Sequence, residues 1–113
     1  MSITLWHNPR CSTSRKALGF LQEKGVEPVL RLYLEDAPSL EELKAVAALL
    51  PGGVQSLVRW KEPEAAALKG ASDATLLAAM AGTPRLIERP VAIGNGKARV
   101  GRPPETVLET LAE

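Results

Sequence analysis

The spacing of apolar and polar positions changes several times along the chain, and each change marks an element. Ile3-Thr4-Leu5-Trp6 reads as a short strand, and Asn8-Pro9 forces a turn after it. Ala17, Leu18 and Leu21 then recur on one helical face up to Gly25, a residue suited to the position just past a helix end. Val29 to Leu34 is a second strand candidate. Ser39-Leu40-Glu41-Glu42 matches a capping box, and Leu43, Val46, Ala47 and Leu50 follow at helical spacing until Pro51-Gly52-Gly53. From Val54 to Gly70 the pattern predicts two short helical pieces, one carrying Leu57, Val58 and Arg59, the other running from Glu64 to Lys69. Ser72 or Asp73 caps a further helix with Leu76, Leu77 and Met80 inward, closed by Gly82-Thr83-Pro84. Val91-Ala92-Ile93 and Ala98-Arg99-Val100 flank Gly94-Asn95-Gly96-Lys97, a hairpin signal. Pro103-Pro104-Glu105 opens a last helix with Val107, Leu108 and Leu111 as its apolar stripe.

The order is therefore β-α-β, then helices, then β-β-α. A parallel pair joined through a helix, with an antiparallel hairpin and a closing helix, is a thioredoxin-like α/β arrangement. The expected fold is one domain over residues 1–113, with a helical insertion at about 37–84 between the βαβ and ββα halves. Ligands of such units gather beyond the carboxyl ends of the strands, which is where the turn after Trp6 falls.

Composition narrows the functional classes. At 113 residues, 45% hydrophobic and 24% charged with net charge +1, the chain has the balance of an ordinary soluble globule. That balance argues against a nucleic-acid or membrane surface. No apolar run approaches the roughly 20 residues of a membrane span, and the N-terminal residues do not show the basic-then-apolar signature expected of a secretory signal. One cysteine makes no internal disulfide, which suits a reducing cytoplasm. It also leaves no clustered Cys and His for a metal.

Chemistry concentrates in His7-Asn8-Pro9-Arg10-Cys11-Ser12-Thr13-Ser14-Arg15, which holds the only cysteine and the only histidine. Cys11 lies at the mouth of the first helix, where unpaired amides and the helix dipole favour negative charge. A thiol pKa falls at helix N-termini and beside cationic side chains, and His7, Arg10 and Arg15 are near in sequence. Loop hydroxyls such as that of Ser14 are able to turn toward a bound oxyanion. Cys11 therefore reads as a nucleophile facing an anion. Trp6 and Trp60 read as packing or rim residues, Glu41 and Glu42 as cap residues, and Arg10, Arg31, Arg85 and Arg99 as solvated charges.

The same loop resembles the active-site loop of glutaredoxin-linked arsenate reductases. Leu57-Val58-Arg59, Ile87-Glu88-Arg89-Pro90 and Arg99-Val100-Gly101-Arg102-Pro103 resemble that family's three anion-binding arginine motifs, in the same order. The resemblance runs from about Ile3 to Leu111 and is closest to the short chromosomal members. It implies a thioredoxin-like fold, Cys11 as the nucleophile on arsenate, and Arg59, Arg89 and Arg102 as substrate ligands, to which the loop reading adds Ser14. It gives His7 and Arg15 the task of supporting the thiolate, and places a cis peptide bond before Pro90. Glutathione as co-substrate and glutaredoxin as partner are implied with it, without a bound cofactor, in a monomeric cytoplasmic protein. Ser14 stands where a C-x-x-C motif has its second cysteine, so the chain offers no resolving thiol. Two other readings stay open: a monothiol thioredoxin-like oxidoreductase acting on glutathione mixed disulfides, and a non-enzymatic module resembling transcriptional regulators of this fold.

Overall fold

The computed structural model describes residues 2–111. The first strand, β1 (Thr4–Trp6), is interior to the sheet. Side chains of a pleated strand alternate between faces, so Ile3 and Leu5 join one apolar cluster while Trp6 joins another. β2 (Val29–Arg31) pairs with β1 in parallel, and β3 (Val91–Gly94) pairs with it antiparallel on the other side. β4 (Lys97–Val100) extends the sheet antiparallel to β3, giving the order β2-β1-β3-β4.

α1 (Ser12–Glu23) connects β1 to β2 and covers one face of this sheet. Its Ala17 and Leu21 close on Ile3, Leu5 and Ala92, joined by Val107 from a 3-10 helix over Pro104–Leu111. α2 (Leu40–Leu49), α3 (Gly53–Leu57) and α4 (Asp73–Gly82) supply the opposite layer. There Leu43, Val46, Leu57, Leu76 and Met80 pack with Trp6, Val91 and Ala98. A sheet lies between two helical layers, and its βαβ and ββα halves stand in the expected thioredoxin-like order. Among the described residues no helix is long and apolar enough to cross a membrane.

Local chemistry explains most boundaries. Ser39 accepts the Glu42 amide while Glu42 accepts the Ser39 amide, the reciprocal capping box. Ser72 caps α4 through the Thr75 amide. Asn95 at φ 55° and Gly96 at φ 72° both take the left-handed conformation that a two-residue hairpin turn requires.

Four expectations are revised. The second strand ends at Arg31 and not Leu34, because the backbone turns at Leu32, whose carbonyl accepts the Glu35 and Asp36 amides, and Tyr33 is fully buried. The first helical piece of the 54–70 stretch stops at Leu57; Val58 is extended and bridges Ile87. The closing element is a 3-10 helix. Arg31 is not a solvated charge: its guanidinium grips both Glu42 carboxylate oxygens, at 2.5 and 3.1 Å, and donates to the Asp36 and Ala37 carbonyls.

This last contact ties the end of β2 to the start of α2. The Arg31 hydrogen bond and the Ser39 amide hold the Glu42 carboxyl down at about 2. A depressed carboxyl contributes stability above its ordinary pKa that is lost as pH falls through the folded-state value. Glu42 is partly exposed, so solvent screening keeps the effect modest. Arg31→Ala should lower the melting temperature at pH 7, and its stability should fall less than wild type between about pH 4.5 and 2. Identical acid profiles in thermal melts of the two proteins would remove this pair from the account.

Candidate active site

Strand direction decides which loops meet. β1 runs antiparallel to β3 with Trp6 opposite Val91, and β3 runs antiparallel to β4 with Val91 opposite Val100. The chain leaving β1, the chain entering β3 and the chain leaving β4 therefore emerge at one end of the sheet. His7 to Cys11, Arg89-Pro90 and Gly101-Arg102 are those three segments. The Gly101 amide donates to the Pro90 carbonyl at 2.8 Å, and Arg102 Nε donates to the Arg89 carbonyl at 2.9 Å. Gly101 has no room for a side chain: a Cβ there would stand 2.7 Å from Pro90 Cγ and 2.9 Å from Val107 Cγ1. The Arg89–Pro90 bond is cis, as the resemblance implies, and so is Arg102–Pro103.

Arg59 arrives from the helical segment by a short antiparallel pairing. The Arg59 amide donates to the Leu86 carbonyl and the Glu88 amide to the Leu57 carbonyl, each at 2.7 Å. Arg59, Arg89 and Arg102, distant in sequence, thus reach one cluster.

Cys11 occupies the N-cap position of α1 in extended conformation and is partly exposed. Arg102 Nη2 points at its sulfur from 3.7 Å. Burial works against the thiolate, but the Ser14 amide, the Arg89 guanidinium, the Thr13 amide and the Arg102 charge outweigh it, so the thiol pKa is lowered.

The structure places His7 and Arg15 against the loop and not against the sulfur. His7 is buried, its Nδ1 stands 2.7 Å from Ser14 Oγ, and burial followed by the Arg15 charge lowers its pKa. A histidine held neutral supplies no positive charge to the sulfur. Arg15 Nη1 donates to the Pro9 carbonyl at 2.8 Å, clasping the loop. The hydroxyl of Ser14 is likewise engaged, accepting the Asn8 amide at 3.1 Å besides meeting His7. The Ser14 amide favours the thiolate, and its side chain is turned toward His7 and Asn8.

Three further residues went unnoticed in the sequence. The Tyr33 hydroxyl is buried next to Arg89; burial pushes its pKa up to about 12 against the opposing pull of the Arg89 guanidinium. Glu88 Oε1 stands 3.1 Å from both Arg59 Nη1 and Arg102 Nε. Glu62 Oε1 lies 3.4 Å from Arg59 Nε and 4.0 Å from Arg89 Nη1. Arg59 Nε and Arg89 Nε are themselves buried donors with no hydrogen-bonded acceptor. The position of Glu88 inside the Ile87-Glu88-Arg89-Pro90 motif was the one visible signal. Chemically, the arrangement joins a thiolate to a guanidinium cluster that retains buried donors, the requirements for attack on a bound oxyanion.

Comparison with known proteins points the same way. Residues 6–110 match the model of the ArsC family. An arsenate reductase of Haemophilus influenzae is 41% identical over 116 residues, covering 98% of this chain and 100% of that one. The Escherichia coli K12 protein YfgD, described as uncharacterized, is 45% identical over 95% of this chain and 94% of its own. The solved structure described as an arsenate reductase from Vibrio cholerae superposes with a TM-score of 0.90 at 46% identity, covering 97% of this chain and 98% of that chain.

The thiolate contacts separate the arginines experimentally. Cys11 should titrate below the free-cysteine value of about 8.5 when thiolate absorbance is followed against pH. Arg89→Ala and Arg102→Ala should raise that midpoint, whereas Arg59→Ala, which makes no contact with the sulfur, should leave it nearly unmoved.

Proposed function

The chain belongs to the ArsC family, and from that premise we propose that it reduces arsenate to arsenite through Cys11, with glutathione and glutaredoxin supplying the electrons. The observation that carries this reading is the guanidinium cluster, with buried Arg59 and Arg89 donors that have no hydrogen-bonded acceptor, set against an activated thiolate. Arsenate is a tetrahedral oxyanion, and planar guanidinium forks bind such groups by paired, charge-assisted hydrogen bonds. Neutralising its charge lets an anionic sulfur approach.

In the reaction, the Cys11 thiolate attacks arsenic and an arsenic-bound hydroxyl leaves as water, giving a thiol–arsenate adduct still at the pentavalent level. A glutathione thiol then bonds to the Cys11 sulfur. The sulfur–arsenic bond breaks with its electron pair on arsenic, which departs as trivalent arsenite. One arsenate and two thiols thus become one arsenite, one mixed disulfide and one water. Glutaredoxin and further glutathione resolve the mixed disulfide by thiol exchange. An external second thiol is favoured because Cys11 is the only cysteine in the chain. A hollow of about 270 Å³ lies on the His7 to Arg10 side of the loop, walled by Leu32, Leu34 and the carboxylate-bearing Glu35, with room for part of the incoming peptide thiol. A cytoplasmic monomer fits this chemistry.

Arg59→Ala, Arg89→Ala and Arg102→Ala should each lower arsenate turnover roughly tenfold to a hundredfold, the scale of about 1.5–3 kcal/mol for a charged hydrogen bond. Lysine replacements should not restore full activity, because they lack the planar fork. Steady-state rates at wild-type level in all three alanine variants would dispose of the oxyanion site.

The electron route is tested by mass spectrometry. With arsenate and glutathione, Cys11 should carry one glutathione, removed by reductant, and turnover should need glutaredoxin. Cys11→Ser should show neither. Multiple turnover with thioredoxin alone, and no adduct at any time, would exclude this route. Reduction of glutathione mixed disulfides without arsenate reduction would favour the monothiol oxidoreductase reading.

A further inference from the structure

The reaction above leaves Glu88 unemployed, yet this residue sits among the arginines. Its Oε1 meets Arg59 Nη1 and Arg102 Nε at 3.1 Å each and accepts the Arg89 amide at 3.2 Å. One carboxylate oxygen thereby engages all three arginine residues. Glu62 adds a second carboxylate against Arg59 and Arg89. Counted by formal charge, the guanidinium groups of Arg59, Arg89 and Arg102 are balanced by Glu62, Glu88 and the Cys11 thiolate. With Cys11 as thiolate, the cluster carries no net formal charge before any oxyanion enters.

That neutrality has two opposed effects. Guanidinium groups gathered with little exposure to water need counter-charges, without which they repel one another and lose solvation. The same counter-charges oppose an arriving anion and occupy donors it would use. We infer that Glu88 is a resident anion of the arginine cluster: its charge holds Arg59 and Arg102 ready and sets the affinity for oxyanion, which binds by taking over the Arg59 donor that Glu88 holds and by replacing its charge beside Arg102. Glu88 is a positioning and affinity-setting residue; it does not act on the reacting atoms. Inorganic oxyanions of low charge or modest concentration are thereby resisted, and a ligand able to engage several guanidinium groups at once is favoured. The inference rests on the oxyanion reading of the cluster.

Glu88→Gln keeps an acceptor oxygen of the same reach and removes the charge. Protection of Cys11 from iodoacetamide by arsenate, and separately by inorganic phosphate, reads anion affinity without turnover. Thiolate absorbance against pH gives a second readout, because Arg102 touches both Glu88 and the sulfur. Glu88→Gln should bind both anions roughly tenfold more tightly, as removal of a nearby like charge implies, and its thiol midpoint should fall. KM for arsenate should drop more than kcat changes. Glu88→Asp, which keeps the charge, should stay close to wild type in the thiol titration. Glu109→Gln, whose partner Arg99 lies on β4 outside the cluster, should change none of these. Unchanged or weaker anion protection in Glu88→Gln, with a native circular dichroism spectrum, would overturn the inference while leaving the proposed activity intact. If neither anion protects the wild-type thiol, the oxyanion reading itself fails; a thiol midpoint that then stays put in Glu88→Gln overturns the role of Glu88 as well, and one that falls supports its hold on Arg102.

Discussion

Gathering three guanidinium groups beside a thiol is the costly step in this architecture, and the carboxylates of Glu88 and Glu62 make it possible. Without them, Arg59, Arg89 and Arg102 would carry like charge into a site where each is at most 30% exposed. With them, segments from three parts of the chain are tied together at one end of the sheet. Glu88 joins the pairing of residues 57–59 with 86–88 to the turn after β4, and Arg102 closes the set through the Arg89 carbonyl. The cluster is thus both the candidate binding surface and a clasp between the helical layer and the hairpin.

The nucleophile depends on a second, quieter arrangement. Cys11 gains its anionic character from amides at the start of α1 and from Arg89 and Arg102, against the opposing effect of burial. The loop that carries those amides is held by several side-chain contacts. Ser14 Oγ receives the Asn8 amide and meets the His7 ring, while Arg15 holds the Pro9 carbonyl. His7 and Arg15 thus contact the loop around Cys11 through Ser14 and the Pro9 carbonyl. A direct charge from His7 would require a protonated ring, which its buried position disfavours.

Much of the fold was legible in the sequence because its signals are local. The capping box at Ser39, the hairpin turn at Asn95-Gly96 and the apolar spacing of α1, α2 and α4 depend on neighbours a few residues away. The place of Cys11 at a strand-to-helix turn was legible for the same reason, since the turn and the helix start are set by adjacent residues. The arginine motifs were legible through family resemblance alone, since an arginine in isolation reads as a surface charge.

Tertiary structure decided what each polar group faces. Val29 to Leu34 has strand composition throughout, yet the turn after Arg31 carries Tyr33 into the core beside Arg89. Arg31, read as solvated, found Glu42 across a helix start, and Glu88, unremarked beside Arg89, found Arg59 and Arg102. Spacing along a chain sets which side of an element a residue occupies, but the partner of a charge depends on which elements the sheet order brings together. Antiparallel pairing of β1 with β3 and of β3 with β4 made that choice here. Local sequence thus determined the thiol and the elements that carry it, while strand order determined the charges that surround it, because Coulomb and hydrogen-bond energies follow distance in space and are blind to separation along the chain.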